Sequence, residues 1–236
     1  MPNSYFRFKQ FTIYQDKSAF KVGTDGVLLG ACANVSGRKK ILDVGTGSGL
    51  IALMLAQRCD SGITAIESDY DAYSQASENF TMSKWSSRIR SENCTLQDFN
   101  PENSGFDLIV SNPPYFIDSL KNPDPVKSNA RHNDNLTHSD ILAGADRLLF
   151  DDGLLQLIMP YEEGNIFIAE AQEHGFYCDS ILKIRPVPSS EIRRIILGFT
   201  RKRTKPAERF LTIEKGKRHE FTEEYINLTK DFYLNF

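Results

Sequence analysis

The stretch "KKILDVGTGSGLIALMLAQRC", Lys39 to Cys59, decides how this chain folds. It opens as a short apolar run suited to a buried strand and closes, from Leu50 to Cys59, with the apolar density of a packed helix. Between the two, Gly45, Gly47 and Gly49 alternate with Thr46 and Ser48. Glycine there permits a tight turn and lets a ligand come close to the backbone. Strand, glycine turn and helix in this order open a βαβ unit.

The alternation continues outward from that turn. "GITAIE" (Gly62 to Glu67) reads as the next strand, the region from about Asp71 to Lys84 as a helix, and "FDLIVSN" (Phe106 to Asn112) as another strand. "HSDILAGADRLLF" (His138 to Phe150) reads as a helix, "GLLQLIMP" (Gly153 to Pro160) as a strand, and Glu162 to His174 as a helix. The last two strands, "ILKIRPV" and "RRIILGFTRK", are separated only by a turn and must form an antiparallel hairpin. The expected fold is therefore α/β, a doubly wound, mostly parallel, seven-stranded Rossmann-like sheet ending in an antiparallel C-terminal hairpin, with ligands at the strands' carboxyl ends. At 236 residues one domain is expected, a leader over 1–38 and a core over 39–236.

Composition narrows the function classes. Hydrophobic residues make up 40% and charged residues 25%, and no apolar run approaches the length of a bilayer span. With no apolar export signal near Met1, a cytoplasmic location without membrane attachment is expected. Cys32, Cys59, Cys94 and Cys178 are far apart and never form CxxC, which argues against a metal site and a disulfide framework. The net charge of −3 hides an uneven distribution: Lys183 to Arg218 holds twelve Lys or Arg against three Glu, a balance of +9. Such a block is either a solvated face or a footprint for phosphates.

The glycine turn departs from the dinucleotide fingerprint GxGxxG, because its third glycine comes one residue early and Leu50 stands in its place. A GxGxG turn preceded by Asp43 suits an adenosine ligand without a pyrophosphate, such as S-adenosylmethionine, whose cationic amino-acid part would lie near the acid. Gly45, Thr46, Gly47 and Gly49 would line it. Glu67, with Ser68 beside it, follows Gly45 by 22 positions, close to the offset at which an acid reaches ribose hydroxyls. Asp98, which ends the third strand region ahead of "FDLIVSN", would accept from the adenine amino group, with Phe99 packed on apolar neighbours. Taken singly, Asp43 reads equally as a turn cap, Glu67 as a surface acid and Asp98 as an Asx-turn former; together, at successive strand ends, they form a set.

After "FDLIVS" come Asn112, Pro113, Pro114 and Tyr115, a segment whose prolines remove two N–H donors and stiffen a set of acceptors. DVGTGSG, then Glu67, then NPPY after a further strand resembles the class I S-adenosylmethionine-dependent amino-methyltransferases. In that family the motif grips a planar conjugated nitrogen. The resemblance implies that the Asn112 side-chain oxygen and the Pro113 carbonyl accept the NH₂ hydrogens, that Pro114 keeps the segment rigid, and that Tyr115 or Phe116 stacks on the base. Catalysis is then mainly alignment, with no metal required.

The leader "FKQFTIYQDKSAFKVGTDGVLLGA" (Phe8 to Ala31) is similar to the N-terminal signature of the bacterial tRNA(Val) adenine N6-methyltransferases, which modify the adenosine 3′ to the anticodon. That resemblance implies a tRNA anticodon loop as partner and a leader lying over the cofactor. Gln15, Thr24 and Asp25 are then cofactor contacts, although Thr24 also reads as a helix cap and Lys9 and Lys21 as surface lysines. The basic block, including Arg201, Lys202, Arg203 and Lys205, would hold flanking phosphates. Other readings are an NPPY enzyme acting on rRNA guanine N2, DNA adenine or protein glutamine, or a non-catalytic RNA-binding protein of the same fold. The sequence leaves the oligomeric state open with a monomer favoured, and Ile117 to Asn135 reads as a long functional loop.

Overall fold

The computed structural model describes residues 3–19, 21–101, 105–114 and 136–236. Tyr115, Phe116 and the Ile117–Asn135 loop lie outside the described residues. The described elements are β1 (Tyr5–Arg7), β2 (Thr12–Tyr14), α1 (Thr24–Cys32), β3 (Lys40–Val44), α2 (Leu50–Arg58), β4 (Gly62–Glu67), α3 (Tyr70–Thr81) and β5 (Ile89–Asn93). They continue with β6 (Phe106–Ser111), α4 (His138–Leu148), β7 (Leu149–Pro160), α5 (Tyr161–Glu173), β8 (Tyr177–Arg185), β9 (Arg194–Thr200), β10 (Ala207–Thr212) and α6 (Glu223–Thr229).

The main sheet has the order β10-β8-β9-β7-β6-β3-β4-β5, parallel except for β9, which runs against both of its neighbours. The expected C-terminal hairpin is β8–β9, with Ile184 level with Arg194. The sheet holds eight strands rather than seven. The extra strand, β10, pairs parallel to β8 at the edge, and of its residues only Leu211 is buried. The chain builds outward from β3 through β4 to β5 and then returns to β6 on the other side of β3, so β3 and β6 flank the reversal of strand order. Loops leaving two such strands diverge and open a crevice at their carboxyl ends.

Period-two alternation gives each strand one side chain for each face of the sheet. Ile41, Leu108, Val110, Leu154 and Ile158 face a layer built by α1, α2 and the leader; Leu42, Val44, Ile109, Leu155 and Leu157 face α4 and α5. A register shift between Phe106 and Leu108 turns Phe106 to the second layer. The leader is not a loose cover. Its β1–β2 hairpin pairs Tyr5 with Tyr14, Phe8 and Phe11 stack at 4.6 Å, and Phe8 packs on Tyr233 at the C-terminal end. The Lys9 ammonium donates to the carbonyls of Lys230 (2.6 Å) and Phe236 (2.7 Å), and Lys21 donates to Gln15 and Ser18 carbonyls. Both lysines are thus engaged in holding the leader.

Candidate active site

Gly45, Gly47 and Gly49 all have positive φ (69°, 57° and 86°), so the turn takes a path that side chains with a Cβ rarely adopt. Their surroundings differ. A Cβ on Gly49 would lie 2.5 Å from the Phe80 ring, whereas one on Gly45 or Gly47 would meet no atom of the described residues beyond its chain neighbours within 4 Å. Gly49 is therefore small to admit α3, and the other two face open space. Nearly every N–H of the turn is already bonded within the protein: Gly45 and Thr46 donate to the Ile66 carbonyl (3.0 and 3.1 Å), and Gly49 donates to Thr46 (2.9 Å). The Gly47 N–H donates to Glu67 Oε2 at 2.8 Å, while Glu67 Oε1 accepts from the Asp69 N–H at 3.1 Å.

Asp43 is fully buried beneath the turn. The reason is the position of α2, whose first turn folds back over the end of β3. Asp43 Oδ2 accepts from the Thr46 hydroxyl at 2.6 Å and from the Ala52 N–H at 3.2 Å, which fastens strand, turn and helix together. Its Oδ1 has no hydrogen-bond partner among the described residues. Burial pushes this carboxyl up to about 7 and nearby Glu67 adds to the rise, against the Thr46 and Ala52 bonds that favour the ion.

The second strand end lies directly alongside. Val44 and Ser111 are paired in register, and the Ser111 hydroxyl donates to the Val44 carbonyl at 2.8 Å. Gly45 and Asn112 therefore leave neighbouring strands at the same level, about 4.8 Å apart across the sheet. Pro113 is buried and Pro114 exposed. Asn112 Oδ1 is sealed from solvent and has no partner among the described residues. A buried amide acceptor without a partner is costly, and a ligand donor arriving there would satisfy it.

The other residues expected to contact the cofactor have the following surroundings. Asp98 is exposed and closes a local turn, accepting from the Thr95 hydroxyl at 2.7 Å. The Phe99 ring is buried in the core, 6.2 Å from Phe106, on apolar neighbours as expected. The exposed Ser68 offers its carbonyl to Asn93 Nδ2 at 3.0 Å. Buried Gln15 organises the leader, accepting from Val22 N–H (2.7 Å) and donating to the Asn3 carbonyl (3.0 Å). Thr24 is exposed and does not cap α1, whose cap residue is Gly23. Asp25 pairs with Arg194 Nε at 2.8 Å, which places it at the start of β9.

The sequence reading missed the residues that join leader to turn. Asn79 is buried on α3; its Nδ2 donates to the carbonyls of Tyr14 and Ser48, each at 2.8 Å, and its Oδ1 accepts from Tyr14 N–H at 2.9 Å. Gln75, one turn earlier, accepts from Lys17 N–H at 3.0 Å. Two amides four residues apart on the inner face of a helix were the available signal.

The basic block is divided by the fold. Because β9 is antiparallel, with Arg194 level with Pro160 and Phe199 level with Leu155, its start lies at the carboxyl edge of the sheet and its end at the opposite edge. Arg201, Lys202, Arg203 and Lys205 follow that far end, so they lie away from Asn112 and do not flank it. Among the described residues no cluster of His, Cys, Asp and Glu can hold a metal ion, and no helix is long and apolar enough to cross a membrane.

Comparison with known proteins places this arrangement. Residues 17–165 match the model of the methyltransferase small domain. A solved predicted O-methyltransferase from Agrobacterium tumefaciens shares the fold, with a TM-score of 0.66 at 19% identity, covering 88% of this chain and 96% of the other. The chain is 47% identical over 235 residues to a tRNA1(Val) (adenine(37)-N6)-methyltransferase of Phocaeicola vulgatus, all of both chains being covered. It is 45% identical over 240 residues, again across both full lengths, to the protein of that description from Trichodesmium erythraeum. A glycine cradle beside a proline-stiffened amide, with relatives alike from end to end, has one reading: the chain belongs to the tRNA1(Val) (adenine(37)-N6)-methyltransferase family.

Proposed function

We propose that the protein transfers the methyl group of S-adenosylmethionine to the exocyclic N6 of an adenosine in tRNA, the one at position 37 beside the anticodon of tRNA(Val). The full-length likeness to curated relatives supports the substrate. The observation that carries the chemistry is Asn112 Oδ1, which has no partner among the described residues and stands one strand from a glycine turn with room beside Gly45 and Gly47.

When bound, S-adenosylmethionine supplies a methyl group already activated on a sulfonium sulfur. The chain's own residues have three tasks. Gly45 and Gly47 leave space for the ligand's adenosine and amino-acid parts, and Glu67, at the end of β4, offers carboxylate oxygens to ribose hydroxyls in exchange for the backbone N–H groups it holds in this structure. Asp43 fixes the cradle from beneath through Thr46 and Ala52. Asn112 Oδ1 and the Pro113 carbonyl accept the two hydrogens of the adenine amine, so that its lone pair turns out of conjugation towards the methyl carbon. Tyr115 stacks on the base in this proposal, which for that residue rests on the sequence motif. An anticodon-loop adenosine costs only a few kcal/mol to unstack, less than a base in a duplex.

The test is transfer of label from methyl-tritiated S-adenosylmethionine to tRNA, rRNA, DNA and protein taken from cells lacking the gene, followed by nucleoside analysis. Label recovered as N6-methyladenosine from tRNA(Val) is the expected result. Label in any other acceptor, with tRNA blank, overturns the proposal.

A further inference from the structure

The twelve cations between Lys183 and Arg218 separate into groups with different surroundings. At the edge away from Asn112, Arg201 is held by Asp146 at 2.7 Å with its guanidinium 4.9 Å from the Phe176 ring, and Arg203 lies 5.8 Å from the Tyr177 ring. At the carboxyl edge stand Arg193, just before β9, and Lys215, Lys217 and Arg218, just after β10. That these last three share the edge follows from the parallel pairing of β10 with β8, Thr212 level with Arg185, so the chain leaves β10 where β8 ends.

The segment carrying them is a small hairpin. Glu214 bridges to Phe221, the Lys215 N–H donates to the Glu220 carbonyl at 2.7 Å, and Glu214 Oε1 accepts the His219 N–H at 2.8 Å. His219 is at φ 69° and Gly216 at φ 150°, so the tip is tightly folded. Its one half-buried acid is thus committed to its own backbone. Arg193, Lys215 and Arg218 are exposed, and among the described residues their side chains make no hydrogen bond or ion pair. Lys217 approaches only Glu220, at 3.8 Å, with both side chains largely in water, a pair worth little.

We propose that Arg193, Lys215, Lys217 and Arg218 form the docking surface for the phosphodiester backbone of the RNA that carries the target base, an assignment that rests on the proposed tRNA methylation. Strands β9, β8 and β10 lie two, three and four places from β6, which at about 4.8 Å per strand sets the patch roughly 10–20 Å from Asn112. That span corresponds to a few nucleotides of the strand on either side of an extruded base. The surface faces the side from which the adenosine must enter, and among the described residues the one ion pair its cations make is the exposed Lys217–Glu220 contact at 3.8 Å. The cations after β9 fail on the first count.

The test compares K215A/K217A/R218A with K202A/R203A/K205A by tRNA binding across about 50 to 200 mM salt, with S-adenosylmethionine binding and thermal midpoint measured for each. The first variant is expected to bind tRNA at least tenfold more weakly and to lose roughly two units of the salt slope, at about 0.7 to 0.9 per phosphate contact, while its methyl-donor affinity stays within twofold. Arginine at 215 and 217, with Arg218 kept, should restore both. The second variant should match the wild type. An unchanged slope in the first variant, or an equal loss in the second, overturns the docking surface. If the wild type methylates no RNA yet shows salt-dependent tRNA binding that only the first variant loses, the surface stands and the proposed reaction falls.

Discussion

Two strand ends meet at the reversal of strand order, and they differ in what they leave unspent. At the end of β3 the turn's N–H groups at Gly45, Thr46, Gly47 and Gly49 are consumed internally, by Ile66, Glu67 and Thr46, and Asp43 spends Oδ2 on Thr46 and Ala52 while its Oδ1, beneath the turn, has no partner among the described residues. At the end of β6 Asn112 Oδ1 is left without a partner among the described residues. The first keeps its acid beneath the turn and offers shape; the second offers a hydrogen-bond acceptor. Damage to the first should therefore appear in ligand affinity and stability, and damage to the second in turnover.

The largest separation is expected from Asn112→Ala. Removing one preorganised acceptor at a reacting centre costs on the order of 10²- to 10³-fold in turnover, about 3–4 kcal/mol. Because Asn112 does not hold the glycine turn, methyl-donor affinity measured by calorimetry should stay within about twofold. Wild-type turnover by this variant would erase the distinction between the two ends.

Asp43→Asn sharpens the other side through pH. In the folded chain this carboxyl is raised to about 7 by burial, against about 3.9 when unfolded. Its contribution to stability is complete below the unfolded value and is lost as pH rises through the folded one, at roughly 1.4 kcal/mol per pH unit within that window. Asn keeps the acceptor oxygen for Thr46 and cannot ionise. Urea unfolding from pH 5 to 8 should show the variant gaining on the wild type up to about pH 7 and then running parallel to it. A difference independent of pH would mean that Asp43 is ionised throughout.

How far the sequence foretold these parts follows from what each depends on. β3, β4 and β6 are continuous apolar runs because both faces are covered, and they were read to within a residue or two. β10 was not, since "AERFLT" buries only Leu211 and presents neither a run nor an alternation. The burial of Asp43 depends on Ala52, nine residues away, folding back over it, which no local pattern announces. Charge density along the chain likewise could not reveal that an antiparallel β9 sends the middle of a basic block, Arg201 to Lys205, to the edge opposite its two ends. The Asn112 segment was legible because two prolines after an apolar strand dictate their own geometry.

A smaller effect is expected at Glu67. Glu67→Gln keeps an oxygen that can accept from the Gly47 N–H but removes the charge that would face ribose hydroxyls. Losing charge-assisted bonds of about 1.5–3 kcal/mol in part should weaken methyl-donor binding by about tenfold and leave saturated turnover near normal. A fall in saturated turnover without loss of affinity would place Glu67 with Asn112 rather than with the scaffold.

Asp98→Ala should do least, and it tests where the cradle ends. The carboxylate is exposed and accepts from Thr95 in a local turn beyond β5, one strand further out than Glu67. An exposed hydrogen bond of this kind contributes about 0.5–1.5 kcal/mol at most, so unfolding should shift only slightly. If the side chain serves only the turn, methyl-donor affinity will not change and Thr95→Ala will reproduce the small loss of stability. If it reaches the adenine amine, affinity will fall several-fold in Asp98→Ala but not in Thr95→Ala. That outcome would extend the ligand-contacting part of the site to a third strand end.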